Sequence, residues 1–358
     1  MAPETKSQSG KAALAKEIYH TALGRIVLGD ALVVLSKWVE PQSVDLIVTS
    51  PPFGLVRKKE YGNVDADKYV DWFEPFGREF KRILKPSASL VIDIGGAWVP
   101  GQPTRSLYHY ELLVMLCRGL GFHLAQEFFW WNPSRLPTPA EWVTVRRIRV
   151  KDAIDCIWWL SPTPWPKASN RRVLQPYSES MIALLKNGYQ AKLRPSGHDI
   201  SDRFGKDNQA AIPPNLIALA HTESNSPYLR YCRRLGLKPH PARFPEQLPE
   251  YFIRMLTDSG DMVIDPFAGS CATGAVADRL ARKWLCVDIS EEYLLGALGR
   301  FARRRKGTKP ALFPKEALGN NGKSAFYRIS RPDALWNASE DVALPPDGGR
   351  HRIRESSE

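Results

Sequence analysis

The stretch LIVTSPPFG (residues 46–54) runs four apolar or β-branched residues into Ser50, Pro51, Pro52 and Phe53. Proline has no N–H to give a strand ladder and cannot continue a helix, so a buried strand must stop at Ser50. The stop presents a hydroxyl, a main chain whose carbonyls are held rigid, and an aromatic ring. Groups fixed in advance in this way can orient a reacting partner without an ordering cost at each encounter.

A second constellation lies in DMVIDPFAGSCATGAVADRLARKWLCVDIS (residues 261–290). Here a strand ends at Asp265-Pro266-Phe267, a small-residue turn follows at Ala268-Gly269-Ser270, and a helix opens. Glycine lets the backbone approach a ligand, and the helix start offers free N–H groups to polar ligand atoms. About twenty residues on, the next strand ends at Asp288, where an acid can accept hydrogen bonds from both ribose hydroxyls. The phosphate-cradling patterns G-x-x-x-x-G-K-[ST] and G-x-G-x-x-G are both absent. The layout therefore suits a nucleoside without phosphate groups, such as S-adenosyl-L-methionine, better than a dinucleotide; taken alone, a Gly-Ser turn is also compatible with a purely structural role.

Apolar strands alternate with helical segments around these two corners. GRIVLGD (24–30), VDLIVTS (44–50), SASLVIDIGG (87–96), HLAQEFFWW (123–131), DCIWWLS (155–161), DMVIDPF (261–267) and KWLCVDIS (283–290) read as strands. Residues 67–84, ELLVMLCRGLGF, EQLPEYFIRML and ATGAVADRLAR carry helical periodicity. The alternation predicts an α/β fold with a mostly parallel sheet. Between about residues 162 and 239 the rhythm gives way to Pro, Ser, Asn and Arg, which reads as a separate irregular lobe. The expected organisation is an N-terminal extension (1–21), a first half-domain (22–161), the lobe (162–239), a second half-domain (240–303) and a basic, extended tail (304–358).

TSPPF together with DPFAGS resembles the two signature motifs of the amino DNA methyltransferases. The S-P-P-F form is similar to the cytosine-N4 branch, whereas the adenine-N6 branch usually carries D-P-P-Y. The catalytic motif precedes the cofactor motif, as in the β class. Gly29-Asp30 resembles the motif whose acid contacts the cofactor adenine, and NRRVLQPYS, SGHDIS and IPPN resemble the region ahead of the cofactor motif. The similarity covers roughly residues 22–303. Cys271 departs from it, since many members carry glycine or asparagine there.

The resemblance implies a Rossmann-like, S-adenosylmethionine-dependent methyltransferase fold and a methyl transfer to the N4 amine of a flipped cytosine. The amine's lone pair is delocalised into the ring; the Ser50 hydroxyl and the Pro51 carbonyl, as fixed acceptors, would draw its hydrogens aside. Pro52 keeps the corner stiff, and Phe53 would stack on the base, at about 1–3 kcal/mol, offsetting part of the cost of flipping. Phe53 is otherwise a buried turn aromatic. Asp93 ends the strand SLVID and could take the departing proton, directly or through Ser50; the other reading is a strand-end cap before Gly95-Gly96. Asp30, Asp265, Phe267, Ala268, Gly269, Ser270 and Asp288 form the implied cofactor site. Cytosine-C5 chemistry would need a Pro-Cys nucleophile, and the chain has no such dipeptide.

The chain of 358 residues carries 50 Lys and Arg against 38 Asp and Glu, a net charge of +12 that favours a polyanionic partner. Double-stranded DNA is the partner the resemblance implies, with Arg171, Arg172, Arg194 and His198 as candidate contacts in the lobe. Trp158, Trp159 and Trp165 read as packing residues. Five cysteines show no C-x-x-C pair, so neither a zinc site nor a disulfide framework is expected. Neither a membrane span nor a signal peptide is evident, which suggests a cytoplasmic protein. A cognate restriction endonuclease and a homodimer remain open, as do two other functions: adenine-N6 methylation, and a catalytically silent nucleic-acid-binding scaffold.

Overall fold

Strand β3 (Val44–Thr49), VDLIVT, is buried at every residue, as a β-branched strand covered on both faces must be. It organises the sheet, pairing in parallel with β4 (Leu84–Ile94) on one side and with β8 (Met262–Asp265) on the other. The computed structural model describes residues 15–54, 64–188, 205–208, 210–221, 225–243 and 245–302, all within the compact unit Met1–Ala311.

In chain order the remaining strands are β1 (Lys16–His20), β2 (Gly24–Leu28), β5 (His123–Trp131), β6 (Ile154–Ser161), β7 (Leu216–Ala218) and β9 (Lys283–Asp288). The helices are α1 (Ala31–Trp38), α2 (Tyr69–Ile83), α3 (Tyr108–Val114), α4 (Glu179–Asn187), α5 (Pro227–Leu235), α6 (Gln247–Leu256), α7 (Ala272–Arg279) and α8 (Glu291–Phe301). Among the described residues the strands form one sheet in the order β1-β2-β9-β8-β3-β4-β6-β5-β7. The run from β2 to β4 is parallel, β6 is antiparallel to β4 and β5, and β7 is parallel to β5. The chain leaves β3 towards β4 on one side and returns in β8 on the other. The carboxyl ends of β3 and β8 therefore flank a crevice, the place where open α/β sheets hold ligands.

Helix α2 covers this sheet with Tyr69, Phe73, Phe76, Phe80 and Ile83, the apolar stripe of an amphipathic helix. Pro75 is tolerated within it because it lies on the exposed side, where water can satisfy the carbonyl it leaves unbonded. Among the described residues no helix is long and apolar enough to cross a membrane.

Two expected boundaries change. Residues 16–20, assigned to an N-terminal extension, form β1 and pair antiparallel with β2, so the sheet begins there. The supposed separate lobe contributes β7 to the same sheet, and its helix α5 packs against α8. In α5, Tyr228, Tyr231 and Cys232 are buried against α8, where Gly296 and Gly299 let the helices close in: a Cβ at Gly299 would sit 2.4 Å from that of Tyr231. These residues read as irregular because β7 spans three residues and α5 carries three arginines on its outer side. Arg194, His198 and the tail from residue 303 lie outside the described residues.

Candidate active site

The parallel register that pairs Thr49 with Ile92 brings Ser50 beside Asp93. The Ser50 hydroxyl donates to Asp93 Oδ2 at 3.1 Å, and Asp93 Oδ1 is buried without a hydrogen-bond partner. The next strand adds a second acid. Asp155, at the start of β6, is 3 % exposed and is gripped by both terminal nitrogens of Arg135, through Nη1 at 2.9 Å and through Nη2. Burial first, then the Asp155 carboxylate, push Asp93 well above the ordinary carboxylate range, while the Ser50 hydroxyl and Arg135 pull the other way.

Phe53 closes this corner. A Cβ added at Gly95 would lie 2.5 Å from the Phe53 ring and 2.9 Å from Asp155 Oδ1, so glycine is what lets the ring settle beside the carboxylate. The Tyr108 hydroxyl donates to the Gly95 carbonyl and fixes the turn from behind.

The second corner is held from three sides. Asp265 is buried: Oδ1 accepts from Thr49 at 2.8 Å and from the Phe267 N–H at 3.2 Å, and Oδ2 accepts from Thr273 at 2.7 Å. It ties the end of β3 to the end of β8 and the start of α7. Burial raises its pKa to about 6 against the opposing hydrogen bonds. The turn needs left-handed backbone at Gly269 (φ +48°) and at Cys271 (φ +51°). The preference for glycine or asparagine at the latter position follows from that angle, which a cysteine adopts only under strain. The Gly269 N–H donates to Asp288 Oδ2 and the Ser290 N–H to Oδ1, both at 2.8 Å, and Asp288 is raised mainly by burial. Arg300 of α8, its side chain 1 % exposed, donates to the Ser270 carbonyl at 2.8 Å and to its hydroxyl at 3.1 Å, and is neutralised by Glu246 at 2.8 Å. The His240 ring packs over Gly269, its Nε2 3.1 Å from where a Cβ would stand; burial lowers its pKa to about 4.

One cavity of about 740 Å³ joins the two corners. Ser50, Pro51, Pro52, Phe53 and Asp93 line it together with Asp30, Phe267, Ala268, Gly269, Ser270 and Asp288. Asp265, expected to touch the cofactor, does not line it, because its carboxylate is turned inward to Thr49 and Thr273. Asp30 caps α1 by accepting from the Leu32 N–H at 2.8 Å, and the adjacent strand ends Leu28 and Asp288 pair, so both acids reach the same end of the cavity. Trp72, Phe76 and Phe267 form an aromatic wall, the Phe76 and Phe267 rings being 5.0 Å apart. Aromatic faces beside two carboxylates fit the purine, hydroxyls and amine of a nucleoside that carries no phosphate.

Of the two described DNA candidates, Arg171 is exposed. Arg172 is exposed as well, and its guanidinium donates to the Thr257 carbonyl at 2.7 Å and pairs with Asp258 at 2.5 Å, capping the end of α6. Trp158 and Trp159 are buried, whereas Trp165 is 83 % exposed and is no packing residue. Sequence reasoning missed Asp155, Arg135, His240 and Arg300. A lone acid near the start of the apolar run IDCIWWLS marks Asp155 as unusual, but nothing local ties it to Asp93. Arg300 is masked by the charge cluster that follows it.

A DNA methylase family model matches residues 44–298. The type II methyltransferase M.PvuII of Proteus hauseri is 48% identical over 289 residues, 80% of this chain and 86% of that one. The DNA adenine methyltransferase YhdJ of Escherichia coli (strain K12) is 26% identical over 319 residues, 87% and 94% of the two chains. The solved structure of the PvuII DNA methyltransferase (cytosine-N4-specific) superposes with a TM-score of 0.66 at 41% identity, covering 82% of this chain and 91% of that one.

Proposed function

The chain belongs to the DNA methylase family, and from that premise we propose that it transfers a methyl group from S-adenosylmethionine to the N4 amine of a cytosine flipped out of duplex DNA. The observation that carries the reading is the Ser50–Asp93 hydrogen bond at the mouth of the cavity that Gly269 and Asp288 also line. The neutral serine at this corner, together with the cytosine-N4-specific relative, favours cytosine over adenine.

S-adenosylmethionine supplies a methyl group made electrophilic by its sulfonium. Asp288, Asp30, Phe267 and the Ala268-Gly269-Ser270 turn would hold it. Because Ser50 gives its own proton to Asp93, its lone pairs remain available as acceptors towards the cavity. One N–H of the amine is then accepted by Ser50 Oγ and the other by the Pro51 carbonyl. This draws the nitrogen towards sp³ and frees its lone pair. Phe53 takes the face of the base. The proton released from the amine passes to Ser50 Oγ as Ser50 passes its own to Asp93, so the serine ends as it began. Asp93 suits this role because its burial makes it a stronger base than a surface carboxylate.

The type II names of the relatives support a place in a restriction–modification pair, with an endonuclease of the same specificity as partner, in the cytoplasm of a bacterium. A homodimer is the assembly to look for by mass measurement in solution. The catalytic reading is tested with labelled S-adenosylmethionine and duplex DNA digested to nucleosides. N4-methylcytosine is expected. N6-methyladenine would overturn the base assignment, and unlabelled DNA would mark a silent scaffold.

A further inference from the structure

The Arg135–Asp155 pair is not needed to hold the cofactor, and the acceptors for the amine are complete without it. It nevertheless lines the same cavity as Ser50, Asp93 and Phe53. Its position is tied to the base platform: Asp155 Oδ1 and the Phe53 ring edge both lie within 3 Å of one point above Gly95. A base stacked on Phe53 therefore has this pair at its edge.

Arg135 has five N–H donors. Two go to Asp155, one from each terminal nitrogen, and no other hydrogen-bond acceptor for the guanidinium is found among the described residues, Asp93 and Asp152 acting on it only through their charge. Asp155 thus grips the end of the fork. The Nε–H and the outer N–H of the neighbouring terminal nitrogen are left as a parallel, charge-assisted pair. Such a pair matches two adjacent acceptors on one edge of a planar ligand. Beside its amine, cytosine carries N3 and then O2, both acceptors. Adenine carries N1 and then a C–H, so one donor would be left unmatched in a partly buried site.

Resting on the cytosine-N4 reading above, we propose that Arg135, aimed by Asp155, reads the N3 and O2 acceptors of the flipped base and so selects cytosine at this site. Asp155 is then a positioning residue. Its carboxylate fixes the orientation of the fork, and the fork's charge allows the carboxylate to be buried.

The test compares duplexes carrying either cytosine or 3-deazacytosine at the target position, the site having first been mapped by sequencing plasmid DNA methylated by the enzyme. The analogue keeps the amine and O2 but replaces N3 with C–H. The wild type and Arg135→Lys are assayed on both duplexes. Lysine keeps a positive charge near Asp155 but loses the fork. The wild type is expected to disfavour the analogue about ten- to a hundredfold more strongly than Arg135→Lys does. Arg135→Gln serves as a second variant if the lysine form unfolds on thermal melting, and the same narrowing is expected of it. Any effect of the analogue on amine reactivity is common to all the enzymes and cancels in the ratio. A purely structural role for Arg135 would lower both rates alike and leave the ratio unchanged, which would overturn the proposal. The product formed on the unmodified duplex separates the two levels of failure. N4-methylcytosine with equal ratios sinks the Arg135 assignment alone, whereas N6-methyladenine sinks it together with the reading on which it rests.

Discussion

Asp93 works under a constraint set by its surroundings. It accepts from Ser50, lies near a second buried acid, and keeps one oxygen without a partner. A carboxylate in that position binds a proton more readily than an exposed one, whose pKa is near 3.9. As pH falls, Asp93 is therefore protonated, and lost as an acceptor, at a pH where ordinary carboxylates are still ionised. The acid limb of the kcat profile should accordingly lie above the usual carboxylate range. Asp93→Asn should lower kcat by about 10²–10⁴, leave KM for DNA nearly unchanged and remove that limb. A variant retaining full activity and the wild-type profile would exclude Asp93 from proton transfer. The serine, the prolines and Asp93 were legible in the sequence because each stands at the end of a recognisable strand. Asp155 and Arg135 were not, because their nearness to Asp93 depends on β6 returning antiparallel along β4, which no local pattern specifies.

Asp265 shows how the strand and helix ends are joined. Its carboxylate takes hydrogen bonds from β3, from the turn after β8 and from α7, and so fixes the spacing of the two corners without facing the cavity. An acid that ends a strand before Pro-Phe looks the same in sequence whether it faces a ligand or the core, hence its assignment to the cofactor. Its folded pKa of about 6 lies above the unfolded value, so the folded state keeps a proton that the unfolded chain has already released. Its contribution to stability is complete below about pH 4, falls as pH rises to about 6, and stays lost above. The linked change is about 3 kcal/mol. Asp265→Asn should flatten the wild-type decline in stability between these pH values, as measured by urea unfolding across the range. An unchanged slope would mean that Asp265 is not the group that titrates.

At the scale of the molecule, a net charge of +12 predicts DNA affinity that falls steeply with salt. The charges are not equivalent. Both Arg171 and Arg172 are exposed, but Arg172 is engaged at the end of α6 through the Thr257 carbonyl and Asp258. Arg171→Ala should reduce the slope of log K against log salt by about one, and Arg172→Ala should leave the slope unchanged while lowering the melting temperature. Fluorescence anisotropy over a KCl series measures the first effect; a drop in slope for Arg172→Ala would return that residue to the DNA interface. The parallel sheet and the crevice were legible from the alternation of strands and helices. The reach of the sheet into β1 and β7 was not, because edge strands of three to five residues carry too little pattern.

The Arg300 clamp on Ser270 also bears on the making of the protein. The catalytic corner is translated early, at residues 50–53, yet its neighbouring strand β8 and the turn after it are more than two hundred residues away, and the arginine that locks this turn comes later still, at position 300. A nascent chain on the ribosome therefore cannot assemble a working site until α8 has emerged. A product truncated anywhere between Phe53 and α8 would carry the whole catalytic motif and still be unable to mark DNA.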